Sequence, residues 1–63
     1  MSEWISVKDR LPKELREVMF YDGEEMWIGY RLGGLWCEDY FTFKESKITH
    51  WMPLPEPPKE EES

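Results

Sequence analysis

The chain has one cysteine, Cys37, and one histidine, His50, among its 63 residues, and this scarcity restricts how it can be held folded. A single cysteine excludes an intramolecular disulfide, and these two residues alone cannot complete a four-ligand zinc site. Small domains usually need such cross-links, because they bury only about 60% of the surface that the unfolded chain exposes. Aromatic packing must therefore supply the stability, and self-association into a homo-oligomer is a further way to bury surface.

The aromatic content meets this requirement. The chain contains four Trp, three Tyr and three Phe, and each large ring can bury about 150–250 Å². Five segments have the composition of β-strands, at residues 4–7, 17–21, 26–32, 35–37 and 47–52. Residues 38–46 are compatible with either a strand or a wide loop. The chain is too poor in helical signals for a stable helix, although Pro12 can open a single helical turn over residues 12–16.

Turn residues connect these segments into a mainly β fold. Asp22-Gly23 and Gly33-Gly34 lie between apolar runs and predict two-residue hairpin turns. The resulting prediction is a small, strongly twisted antiparallel meander of four to five strands. The first and last strands are expected to be neighbours, which would bring Trp4 and Trp51 together.

Alternation along the strands separates two faces of this sheet. Trp27 falls on one face and Met26, Ile28 and Tyr30 on the other, and Trp4 and Trp51 are also expected on a tryptophan-bearing face. Two alternatives follow for that face. The sheet closes into an SH3-like barrel with the tryptophans inside, or the tryptophans form an exposed binding patch.

The composition divides the chain into two parts. Residues 1–55 are predicted to form a single small β-rich domain, and residues 56–63 an acidic, Pro-rich and disordered tail. The net charge of −6 disfavours binding to nucleic acid or to anionic membranes. The sequence has neither an apolar run of about 18 residues nor a signal-peptide core, so we expect a cytoplasmic protein.

The two ends of the chain resemble a known family. Residues 4–12 read WISVKDRLP, residues 49–58 read THWMPLPEPP, and the segments at 18–22 and 27–30 fit the same pattern. This pattern is similar to that of domain of unknown function 551, which occurs in tailed phages and bacterial prophages. The resemblance implies a phage or prophage origin, expression in the cytoplasm of a bacterial host and an accessory role. It carries over no catalytic residues, and the connection at 12–16 lacks a glycine that is common in the family.

The sequence contains residues that can act in catalysis, but their spacing does not indicate an active site. Nothing in the spacing of Cys37 and His50 enforces the contact that a nucleophile and its base require. The pairs Glu24-Glu25 and Glu38-Asp39 are interpreted as solvated turn residues. We therefore predict a non-enzymatic protein without a metal or cofactor. Asp9 and Arg10 form either an ion pair that fixes the chain after the first strand or part of a binding surface. The candidate binding residues are Trp4, Trp27, Trp51, His50, Asp9 and Arg10.

Three functions are compatible with these features. The first is a non-catalytic module that binds a host or phage protein. The second is an acidic mimic of nucleic acid that inhibits a DNA-binding enzyme, which requires the four acidic residues above on one face. The third is a small-molecule-binding protein with an aromatic pocket lined by Trp27, Trp51 and His50.

Overall fold

A computed structural model describes residues 4–55 of the chain. The described residues form six β-strands and one short 3-10 helix. In chain order these are β1 (Ile5–Ser6), β2 (Val18–Tyr21), β3 (Met26–Leu32), β4 (Leu35–Cys37), β5 (Thr42–Lys44), the 3-10 helix (Glu45–Lys47) and β6 (His50–Pro53). The predicted mainly β, antiparallel class is confirmed. There is one strand more than the upper number predicted, because the ambiguous segment at 38–46 contributes β5. The predicted tail, residues 56–63, lies outside the described residues.

The strands form a single sheet in the order β1-β6-β2-β3-β4-β5, with every neighbouring pair antiparallel. Strands β2 to β5 are a continuous meander, and β6 returns to the other side of β2. The first and last strands are neighbours, as predicted. Their register sets Ile5 opposite Trp51, so Trp4 belongs to the other face. Trp4 packs there on Tyr21, and the expected pairing of Trp4 with Trp51 is wrong.

The sheet is open, so it does not close into the barrel that was one alternative. Residues 45–48 cross one of its faces to join β5 to the chain at Thr49, which is hydrogen-bonded to Tyr21 and Val7 just before β6. In a flat sheet this connection would span four strand spacings, about 19 Å, which exceeds the reach of a segment that includes a 3-10 turn. The sheet must therefore curl around the crossing segment. Ile48 on this segment is 2% exposed and closes the core from outside the sheet.

The core is a cluster of aromatic and branched side chains on the curled, inner face. Its buried members are Val18, Phe20, Trp36, Ile48 and Trp51, with Ile5, Val7, Trp27 and Phe43 packed against them. Phe20 is central, with ring centroids 5.1 Å from Trp36 and 5.7 Å from Phe43. The indole N–H of Trp36 is buried and has no acceptor among the described residues, so Trp36 acts through its packing. The core is thus built largely from packed rings, as the sequence predicted.

The two hairpins that the sequence predicted, β2–β3 and β3–β4, use different turns. Gly33 and Gly34 have φ angles of +58° and +84° and form the predicted two-residue turn, which requires positive φ at both positions. The β2–β3 hairpin is also confirmed, but its loop has four residues, from Asp22 to Glu25, closed by an Asp22 N–H to Glu25 carbonyl bond of 3.1 Å. The prediction of a two-residue Asp-Gly turn is wrong, because the Asp22 side chain organises a wider loop.

The Asp22 carboxylate is the acceptor for this loop. It accepts the backbone N–H groups of Glu25 at 2.7 Å and Glu24 at 2.8 Å, and the indole N–H of Trp27 at 3.2 Å. These bonds stabilise the ionised form, and those from Glu25 and Glu24 contribute most to lowering the pKa of Asp22 below its ordinary value of 3.8. The loop is therefore most stable when Asp22 is charged.

We expect Asp22→Asn to destabilise the domain at neutral pH. Asparagine can accept the two backbone bonds without charge assistance, but its NH₂ group cannot accept the indole bond. Because the folded-state pKa is depressed, the advantage of the wild type is present above pH 3.8 and disappears as the pH falls through the lower folded-state pKa. Urea unfolding of both proteins between pH 7 and pH 2 measures this difference. The matched control is Glu24→Gln in the same loop. A constant gap between wild type and Asp22→Asn across the range would contradict the assignment.

The connection between β1 and β2 is fixed to the sheet by a main-chain hydrogen bond. Leu15 has a φ of +70°, which excludes the right-handed helical turn that Pro12 could have opened over residues 12–16. The Leu15 N–H donates to the Arg31 carbonyl at 3.0 Å. Pro12, three residues earlier in the same connection, is buried. Leucine is disfavoured in this left-handed conformation by about 1–2 kcal/mol.

Replacing Leu15 by glycine should stabilise the domain. The side chain of Leu15 is 65% exposed, so little packing is lost, while glycine removes the steric cost of the positive φ. We expect a gain of up to about 1 kcal/mol in the free energy of unfolding, which thermal denaturation measures. Leu11→Gly in the same connection is the control and should not stabilise. A loss of stability in Leu15→Gly would show that the exposed leucine makes a contact that outweighs its strain.

Candidate functional site

The outer face of the sheet is apolar, and no segment among residues 4–55 covers it. Strand alternation and register place Met19, Tyr21, Met26, Ile28, Tyr30, Leu32, Leu35, Cys37, His50 and Met52 on the side opposite the core. We call this set the open face. Its most exposed members are Met26 (62%), Ile28 (49%), Leu32 (44%), Leu35 (41%) and Tyr30 (38%). Monomeric soluble proteins seldom leave so many large apolar side chains together in water.

Methionine is concentrated on the open face. Met19, Met26 and Met52 all lie there, and the core cluster contains no methionine. Methionine has an unbranched, polarizable side chain that adapts to differently shaped partners, and it is common at binding surfaces for that reason. The open face therefore combines apolar area with side-chain adaptability.

Charge is nearly absent from the open side of the sheet. Among its described strand positions, the permanently charged side chain is Lys44, at the β5 edge opposite Leu35. The centre of the open face, around Ile28 and Met19, is uncharged. A chain with a net charge of −6 thus presents one surface on which burial would cost little charge desolvation.

One end of the open face contains an aromatic groove. It is lined by Trp4, Tyr21, Met26 and His50 and has a volume of about 500 Å³. The rings of Trp4 and Tyr21 are 5.9 Å apart and tilted by 45°. The Nδ1 atom of His50 lies 2.9 Å from the Thr49 hydroxyl oxygen. The groove is a shallow aromatic recess suited to a large side chain of a partner.

The structure divides the six predicted binding residues among three places. Trp4 and His50 line the groove. Trp27 and Trp51 are on the core face, where Trp51 is 6% exposed. The aromatic pocket expected from Trp27, Trp51 and His50 is not formed, because His50 and Trp51 are consecutive in β6 and point to opposite faces. The tryptophan face is therefore the inside of the fold.

Asp9 and Arg10 occupy the exposed turn after β1. Both of their N–H groups donate to the Ser6 carbonyl, at 2.9 and 3.3 Å, and the Arg10 carbonyl accepts the indole N–H of Trp51 at 2.9 Å. No ion pair joins the two side chains within residues 4–55. Main-chain bonds fix this connection, and both side chains remain directed to solvent.

The residues considered for chemistry are not brought together. Cys37 and His50 are on β4 and β6, which are separated by two strands, a distance of about 14 Å in the sheet. The Glu38 carboxylate accepts the N–H groups of Tyr40 and Phe41 at 2.9 and 3.1 Å, so it closes the β4–β5 turn. Across the described part of the chain, no group of three or more His, Cys, Asp or Glu side chains is placed to hold a metal ion.

Arg31 has a structural role that the sequence did not indicate. Its guanidinium donates to Glu45 at 2.9 and 3.3 Å and lies 3.7 Å from Glu14. It thus ties β3 to the crossing segment and to the β1–β2 connection. The sequence feature that could have indicated this role is the position of Arg31 in an otherwise apolar strand, on the same face as Trp27. The open face had a visible signal too, in the alternation of Met26, Ile28, Tyr30 and Leu32.

The comparisons with known proteins give this fold a family. Residues 3–59 match the family described as Protein of unknown function (DUF551). The chain belongs to this family. It is also similar to the "Uncharacterized 7.8 kDa protein in ral-gp17 intergenic region" of Salmonella phage P22, with 30% identity over 70 aligned positions that cover 92% of this chain and 98% of that protein. No solved structure matches the DUF551 chain.

The family and the relative confirm the resemblance noted in the sequence to small phage proteins of unknown function. They assign no activity to the DUF551 chain. Within the part that the structure describes, no helix has the length and apolar character needed to cross a bilayer.

Proposed function

We propose that this DUF551 protein is a non-catalytic accessory protein of phage or prophage origin that acts in the bacterial cytoplasm by binding another protein through the open face. The observation that carries the proposal is the exposure of Met26, Ile28, Tyr30, Leu32 and Leu35 on one side of a folded sheet. Burying such a patch against a partner is favourable by about 25 cal/mol per Å² of apolar surface.

The chemistry of the open face favours a protein as its ligand. Phosphate contacts need clustered Lys and Arg, whereas the only Lys or Arg among the described strand positions on this side of the sheet is Lys44, at the edge of the open face. The groove holds one imidazole, His50, and its other lining residues are Trp4, Tyr21 and Met26. An aromatic recess beside an adaptable apolar surface fits the anchor side chain of a protein, because interface anchors are mostly aromatic or apolar.

Substitution at the centre of the open face tests this function. Wild type, Ile28→Lys and the control Ser46→Lys are immobilised and exposed to lysate of the bacterial host, with and without phage infection. Ser46 is exposed on the crossing segment, on the other side of the molecule, and its substitution makes the same change in charge. We expect proteins retained by wild type and by Ser46→Lys to be lost with Ile28→Lys, and the retained protein to bind again when purified. Equal retention by all three would exclude the open face as the binding surface.

The acidic-mimic function has one supporting observation. Because β2 to β5 form a meander, the β2–β3 loop with Glu24 and Glu25 and the β4–β5 turn with Glu38 and Asp39 lie at the same end of the sheet. A mimic would bind a DNA-binding enzyme through this end, and its affinity would fall steeply with salt. Loss of binding in a Glu24→Lys, Glu25→Lys double variant, with Ile28→Lys unaffected, would favour this function over the first.

A further inference from the structure

We propose that the partner seated on the open face of the free protein is a second copy of this chain, so that the protein is a face-to-face homodimer. This inference rests on the proposed function, because it uses the same binding face. It states that a second copy of the chain binds this face when no other protein is bound. Two sheets packed through their outer faces would enclose a second apolar layer about 10 Å thick.

The area of the open face is sufficient for such a dimer. If a large side chain exposes about 200 Å² in an extended chain, the five most exposed members together present roughly 450 Å². The half-buried members, such as Met19, Met52 and Tyr21, raise the total to roughly 700 Å² per copy. A standard interface buries about 800 Å² per partner. The face is therefore close to the size of a specific dimer interface.

The open face is a better surface for self-association than either edge of the sheet, because the edge strands are short. β1 has two residues and β5 has three, and short edge strands offer few free main-chain groups for strand addition by another copy. The open face, in contrast, extends over four face positions of β3, from Met26 to Leu32, a length of about 20 Å. Ile28 lies near its centre, beside Met19 of β2.

Charge predicts how this dimer responds to salt. Each chain carries −6, so two copies repel one another, while the uncharged centre of the open face lacks ion pairs that salt would weaken. Screening should therefore strengthen the dimer as ionic strength rises. A complex with a basic protein partner would respond in the opposite direction, because salt weakens attraction between opposite charges.

Sedimentation equilibrium of the full chain between about 5 and 500 µM, at low and high NaCl, tests the proposal. We expect a mass that rises from 7.7 kDa towards twice that value, with a dissociation constant that decreases at high salt. Ile28→Lys and Leu32→Lys should each raise the dissociation constant at least tenfold, and Ser46→Lys should leave it within twofold. Far-UV circular dichroism verifies that each variant is folded, and two separate positions are used so that one misfolded variant does not end the test.

The outcomes separate this inference from the proposed function. A monomer at all concentrations would overturn the dimer, even if Ile28→Lys still abolished capture of a host or phage protein. A dimer that Ile28→Lys and Leu32→Lys leave intact would also overturn it, because the contact would then lie elsewhere. A dimer broken by these variants supports the inference, and the capture experiment alone then decides whether another protein competes for the same face.

Discussion

Gly29→Ala is expected to destabilise this protein strongly, although it adds only one methyl group. The Cβ atom of an alanine at this position would collide with the main-chain carbonyl of Cys37 and lie 3.1 Å from the Phe20 ring. The main chain of β4 cannot rotate away as a flexible side chain would, so relief requires the curled sheet to open. We expect a loss of about 3 kcal/mol or more in the free energy of unfolding.

A domain of this size has little stability to lose, about 5 kcal/mol. Urea denaturation followed by tryptophan fluorescence should therefore place the unfolding midpoint of Gly29→Ala at less than about half the urea concentration of the wild type. Ile28→Ala is the matched control, since it alters the adjacent and half-exposed position and should cost about 1 kcal/mol. Phe20→Leu should not rescue Gly29→Ala, because the principal collision is with main chain. A midpoint for Gly29→Ala near that of the wild type would show that β3 and β4 do not pack as closely as described.

Phe20→Ala is expected to have the second large effect. Phe20 is fully buried and contacts both Trp36 and Phe43 at the centre of the core. Removing its ring leaves a cavity that the surrounding rings, fixed by the sheet and by Ile48, can fill only in part. Phenylalanine-to-alanine changes in such cores cost about 3–5 kcal/mol, which is comparable to the whole stability expected here.

Thermal and urea unfolding measure this effect, and substitution on the other face of the same strand supplies its control. Met19→Ala, next in sequence and on the open face, should cost clearly less, because Met19 is only half-buried. Similar losses for Phe20→Ala and Met19→Ala would mean that both faces of the sheet are equally packed in solution. At protein concentrations where the proposed dimer forms, the cost of Met19→Ala should increase, so the comparison is made on dilute protein.

The arrangement of the core explains how such a small domain can leave an apolar face exposed. Ile48 and the crossing segment cover the tryptophan face, and Arg31 fixes that segment through Glu45. Nothing in the described chain covers the outer face. One face of this single sheet is closed over packed rings, and the other face, which carries Met19, Met26 and Met52, is exposed in the described part of the chain.

The local pattern of the sequence was enough to predict five of the six strands, the β2–β3 and β3–β4 hairpins and a core rich in rings, whereas β5 lies in a segment whose pattern was ambiguous. Asp22-Gly23 and Gly33-Gly34 locate the reversals because turn residues act over a few positions. Alternation separated Trp27 from Met26 and Ile28 correctly, because side-chain direction in a strand depends only on position. The lack of a disulfide or a complete zinc ligand set likewise follows from composition alone.

Which face is buried was decided by tertiary structure. The alternation of residues shows two apolar faces, but it does not indicate which of them is buried. The choice depends on the crossing segment, which brings Ile48 over the tryptophan face, and on the register that sets Ile5, not Trp4, opposite Trp51. Both are contacts between residues far apart in the chain, and their energies are not encoded in any local pattern. Composition thus determined that rings must hold this protein together, whereas the path of the chain determined which apolar side chains are buried and which remain exposed.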